Sequence, residues 1–220
     1  DSVPDVAAAK ALGLARMTRA DLNAALFNAA DKAIGVAGTS GKSTVTGMIG
    51  WILASAGRKP TVMNGAVMRN FASDDRPFAS ALVGDAETYV SEVDESDGSI
   101  ALYNPDVAVV TNISLDHKSL VELHALFGDF AAKARIAVIN ADDAESAPLL
   151  AAQNVMRFGF SDAAAIRGGD FNALPDGCRF TVSFAGDRHA VRLRMPGRHN
   201  AMNALAAIAA ARAVNISVAQ

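Results

Sequence analysis

The stretch that most constrains this chain is Ile34 to Gly47, IGVAGTSGKSTVTG. A short apolar run gives way to a loop of small residues, then to Gly-Lys-Ser-Thr, and then to an apolar pattern of helical period. A strand, a tight loop and a helix in that order expose unpaired backbone N–H groups at the helix start, where partial positive charge collects. Gly38 and Gly41 let the backbone approach an anion closely. Lys42 can reach terminal phosphates, and the Ser43 hydroxyl can bind the Mg2+ that accompanies a nucleoside triphosphate. The strict Walker spacing fails, because its first glycine would fall at Val36. What stands is Gly38-Thr39-Ser40-Gly41-Lys42-Ser43-Thr44. The bland alternative is a strand-to-helix turn with a surface lysine, against which the flanking elements and both glycines weigh.

From Ile34 onward the pattern alternates. The spacing of Val45, Met48, Ile49, Ile52 and Leu53 predicts a helix over 44–56, stopped by Gly57. PTVMNG, ASALVG, TYVSEV, DVAVVTN, RIAVIN and VMRFGF are short apolar runs bounded by turn residues, which is the signature of buried strands. Leu120, Leu123, Phe127 and Phe130 mark a helix between 112 and 135. RFTVSF and AVRLRM alternate strictly around AGDR, as an antiparallel hairpin does. Met202, Leu205 and Ile208 stripe a last helix after Pro196-Gly197. Ahead of Ile34, helices are expected over 7–14 and 19–30, the second with Leu22, Ala25 and Leu26 as its stripe. The expected class is α/β, a mostly parallel P-loop sheet with helices on both faces plus a small antiparallel edge sheet.

With 220 residues, 51% of them hydrophobic, the chain can bury a real core. A net charge of -3 offers no general basic surface for nucleic acid. No apolar run is long enough to span a membrane. The single cysteine, Cys178, allows no internal disulfide and fits a reducing compartment. With no signal peptide visible, a cytoplasmic location is expected. The chain begins at Asp1 rather than Met, which suggests an excised piece. Oligomeric state is left open.

Two further stretches carry chemistry. SEVDESDGS, after the strand TYV, holds Glu92, Asp94, Glu95 and Asp97; a solvated acidic loop is the plain alternative. TNISLDH, after DVAVV, places His117 in a loop, and a lone histidine is more often structural than a ligand. The argument for function is positional. The phosphate loop, Glu92 and His117 all stand where a strand ends, and open α/β sheets bind ligands at those ends. A carboxylate with a neutral imidazole is a partial set for a second divalent ion, which would neutralise charge on a transferred phosphoryl group.

In order, GTSGKST, EVDESD, NPDVAVVTNISLDH and GRHNAMNALAAIAAA resemble the Mur ligase family, closest to its branch that joins UDP-N-acetylmuramate to L-alanine. The likeness spans about residues 33–213. It implies a central ATPase domain over 33–220, with 1–32 as linker and tail of a preceding UDP-binding domain and the family's C-terminal domain absent. It implies that Lys42 holds the β- and γ-phosphates, that Ser43 and Thr44 serve Mg2+ and phosphate, and that Glu92 and His117 bind metal. It implies that His199 and Asn203 contact adenine with Asn200 beside them; an amide can both donate and accept along that base edge. The plain alternative for the two asparagines is helix capping.

The implied reaction is ATP-dependent amide formation in peptidoglycan precursor synthesis. A carboxylate on a UDP-sugar becomes an acyl phosphate, ADP leaves, and an amino acid displaces phosphate. A piece without the other domains is expected to be inactive alone. Ser40 stands where the close branch has histidine, and Ser119 where many members have aspartate. Lys133 is the nearest candidate for the carbamylated lysine of some branches, at a poorly fitting spacing. These departures keep a murein-peptide-recycling ligase, or a relative joining another acid and amine, in play. A generic P-loop kinase would leave Glu92, His117 and GRHNAMN without a role. A non-catalytic nucleotide-binding module would make changes at Glu92 and His117 silent.

Overall fold

The computed structural model describes residues 3–116 and 118–219. Ten strands form one sheet in the order β10-β9-β8-β7-β6-β5-β1-β4-β2-β3. The central strand, β1 (Lys32–Ala37), lies between β4 (Thr88–Glu92) and β5 (Val107–Val110), parallel to both. Beyond β4 lies β2 (Thr61–Met63), parallel to it, and then the short antiparallel edge strand β3 (Ala81–Leu82). On the other side, β6 (Ile136–Asn140) and β7 (Val155–Gly159) continue in parallel. The last three strands, β8 (Ile166–Leu174), β9 (Gly177–Phe184) and β10 (Asp187–Leu193), form an antiparallel meander that extends the same sheet.

Helices cover both faces, as parallel strands require. On one face lie α3 (Lys42–Ser55) and α5 (Arg198–Ala213), packed against each other. Val45, Ile49 and Leu53 of α3 meet Ile34, Val36, Val90 and Val109 of the sheet. Alanines bury α5 on most of its circumference, with Leu205 fully enclosed. On the other face, α4 (Leu120–Ala132) sets Leu123, Phe127 and Phe130 against Ala108, Val110 and Ile139. There α2 (Arg19–Asn28) adds Ala24 and Phe27, whose ring meets Tyr89 and Tyr103 edge-on. The opening helix, α1 (Pro4–Ala11), buries no residue.

Three expectations shift. The first helix begins at Pro4 rather than Ala7, because proline suits the first helical position. In α2 the expected stripe is the exposed side: Leu22 and Leu26 are about half exposed, while Ala24 and Phe27 face the sheet. The strand β8 carries no alternation to announce it. Its register shifts between Gly169 and Asn172, where Asp170 takes a positive φ of 46°, as in a bulge.

Candidate active site

The loop Gly38–Gly41 leaves β1 and starts α3 at the strand ends where the sheet changes direction of winding. Gly38 has φ 123° and Gly41 φ 89°, both in the left-handed region. Neither has room for a side chain: a Cβ on Gly38 would lie 2.2 Å from Thr111 Oγ1, and one on Gly41 2.6 Å from Asn203 Oδ1. The loop is pinned by residues just after β5. Asn112 grips Ser40 at both backbone atoms, accepting from its N–H at 3.1 Å and donating to its carbonyl at 2.9 Å. Thr111 Oγ1 donates to the same carbonyl at 2.7 Å. Thr39 exchanges hydrogen bonds with Ser114 through its hydroxyl. The Ser40 side chain takes no part in this scaffold, so the departure from histidine leaves the loop geometry intact.

Gly41 caps α3 without a side-chain bond, and Gly197 does the same for α5; neither helix has an acidic residue in its first turn. Both starts open onto a cavity of about 500 Å³ bounded by Ser40, Gly41, Thr44, Asn112, Arg198, His199, Asn200 and Asn203. Such helix starts attract anions. Asn200 is buried and donates to Pro196 O at 2.7 Å, while Asn203 lies against Gly41. His199 is exposed at the rim. One wall is Arg198, stacked 4.0 Å over the Phe160 ring. Asp142 anchors this wall by accepting the backbone N–H groups of Phe160 and Ser161. Burial alone would raise the Asp142 carboxyl, but these bonds and nearby Arg198 hold it below its usual range.

Lys42 lies back along the loop. Its Nζ donates to Gly38 O at 2.8 Å and to Glu95 Oε1 and Oε2 at 3.2 and 3.1 Å. Glu92 ends β4, level with Val36 of β1. Its Oε2 accepts the Gly65 N–H at 2.8 Å. Asn64, next in chain to Gly65, donates to Ser43 O at 3.1 Å, so this dipeptide after β2 links the Ser43 turn to Glu92. A serine hydroxyl and a carboxylate are hard oxygen donors of the kind Mg2+ prefers. Among the described residues no three His, Cys, Asp or Glu side chains gather as a metal site. His117 lies outside the described residues.

The structure thus brings the residues 38–44, Glu92, His199, Asn200 and Asn203 to one end of the sheet. Lys133 is elsewhere: it ends α4, and its Nζ donates to Ala101 O and Tyr103 O, near the starting end of β6. Sequence reasoning missed Glu95 as the partner of Lys42, and Asn112, Asn64 and Asp142 as supports. For Asn112 the signal was present in TNISLDH, at the end of a strand beside the phosphate loop.

Residues 36–211 match the Mur ligase middle domain. The chain belongs to the Mur ligase family. Among curated Mur ligases, the UDP-N-acetylmuramate–L-alanine ligase of Clavibacter michiganensis subsp. michiganensis is 37% identical over 214 residues, covering 94% of this chain and 43% of that protein. This chain therefore spans less than half the length of that relative. A murein peptide ligase of Psychrobacter arcticus superposes with a TM-score of 0.80 at 25% identity, covering 99% of this chain and 51% of that one. The UDP-N-acetylmuramate-alanine ligase of Thermotoga maritima shares the fold, with a TM-score of 0.81 at 24% identity over 98% of this chain and 49% of that one.

Proposed function

We propose that this chain is the ATP-binding part of a cytoplasmic, ATP-dependent ligase of peptidoglycan precursor synthesis. In the intact protein it would join UDP-N-acetylmuramate to L-alanine and release ADP and phosphate. The observation that carries this reading is the cavity shared by the phosphate loop and the start of α5, in a chain whose relatives bear that enzyme's name.

ATP supplies the phosphoryl group that activates a carboxylate. The backbone N–H groups of residues 38–44 receive the phosphates, and Lys42 neutralises their outer oxygens. Ser43 and Glu92 would hold Mg2+, with Thr44 beside the phosphates. Asn200 and Asn203 offer amide groups to the adenine edge, His199 closes the rim, and Arg198 on Phe160 forms a flat wall. We assign His117 to a second cation, as the family resemblance implies. We place the boundary of the ATPase unit ahead of α2 rather than at residue 33, since Ala24 and Phe27 are part of its core and α1 buries no residue.

The test is ADP release by the intact protein given UDP-N-acetylmuramate and a panel of amines. Release that requires both the nucleotide sugar and L-alanine supports the proposal. Release with a murein tripeptide instead moves the enzyme to peptide recycling, a reading that the likeness to the Psychrobacter ligase keeps in view. ATP binding with no release under any pair would overturn both.

A further inference from the structure

Lys42 faces a carboxylate that the reaction scheme above does not use. Glu95 is only 6% exposed, and both its oxygens lie within hydrogen-bond distance of the Lys42 ammonium. The segment that carries it is fixed. Val93 N–H is donated to Val36 O of β1, Asp94 accepts the Ser96 N–H, and Gly98 N–H reaches back to Glu95 O. Glu95 is therefore a buried anion on a firm backbone, beside the site that takes polyphosphate in the reading on which this inference rests. A buried carboxylate stripped of its partner is costly, and two anions competing for one ammonium oppose each other.

We propose that Glu95 is a positioning residue that competes with nucleotide phosphate for Lys42, weakening nucleotide binding and so promoting ADP release. As ADP leaves, the carboxylate recaptures the ammonium and restores the pair seen here. In an enzyme of this kind product release can limit turnover. A carboxylate that lowers affinity for the product then raises kcat at the expense of KM.

The probe is ADP without divalent cation, which leaves Lys42 and Glu95 to compete unaided. Glu95→Gln keeps the shape and removes the charge. The expected result is ADP binding on the order of tenfold tighter, carried by slower dissociation, as one like-charge repulsion is lost. The melting temperature should fall at the same time, since the buried pair is broken. A merely structural role would lower affinity and stability together, so the opposite signs separate the two. Equal or weaker ADP binding by a folded Glu95→Gln protein overturns the inference. If that variant does not fold, Glu95→Asp, which withdraws the carboxylate by one methylene, is read in the same way. Failure of the unaltered protein to bind ADP at all would remove the nucleotide reading and this inference with it.

Discussion

At the scale of single residues, the site is organised by charge. On the proposed reading Lys42 would give phosphate a charged donor, a contact worth about 1.5–3 kcal/mol. Lys42→Ala should therefore weaken nucleotide binding by roughly ten- to a hundredfold. Calorimetric titration checks this, and unchanged affinity would remove Lys42 from the phosphate site. Asp142 makes a pH prediction. Its native carboxyl is held below the usual range, so its share of stability is complete above the ordinary carboxylate value, about 3.9. That share drains away as the pH falls through the lower native value. Asp142→Asn should flatten the acid limb of a plot of stability against pH, which urea melts at a series of pH values would show. The placement of several of these residues was legible in advance. The lysine, the hydroxyls and Glu92 declare themselves by type and by position at strand ends. Glu95 did not, because its partner is 53 residues away and only the pairing of β4 with β1 brings the two together.

At the scale of elements, start and stop signals were read well where they coincide with periodicity. The stripe of α4 is correct in every member, with Leu123, Phe127 and Phe130 buried and Leu120 partly buried against the same cluster, and Ser119 starts the helix with a reciprocal capping box to Glu122. Serine and aspartate are both favoured caps, so this departure from the family pattern preserves the helix start. Ser119→Ala should cost about 1 kcal/mol of stability. Denaturant titration measures it, and an unchanged midpoint would mean that the cap contributes nothing. Where periodicity misled, the cause is size. In α2 leucines mark the wrong side, because a single phenylalanine between two tyrosines outweighs them in the packed state. In α5 the expected stripe holds, with Leu205 enclosed and Met202 and Ile208 packed beside it, but the alanines bury a further face that carries almost no hydrophobic signal. In β8 two glycines and a bulge erase the alternation that betrayed its neighbours, so three strands read as two.

At the scale of the molecule, the class and the order of motifs were readable because each crossover helix separates its strands cleanly. Which strands become neighbours was not readable, since strand order depends on packing that no local window records. That order has a consequence in time. Neither neighbour of β1 is next to it in the chain: β4 and β5 arrive only after residues 38–87 have been made. The clamps on the phosphate loop, Thr111 and Asn112, come later still. During synthesis the central strand must wait unpaired, and the loop that follows it cannot take its shape until the chain has passed residue 112. Nucleotide should then have little to grip in the folding transition state. We expect it to slow unfolding while leaving the refolding rate almost unchanged, a split that stopped-flow traces with and without ADP would reveal. A ligand that sped refolding instead would place the loop in the nucleus, and the centre of the sheet would be the first part of the molecule to form.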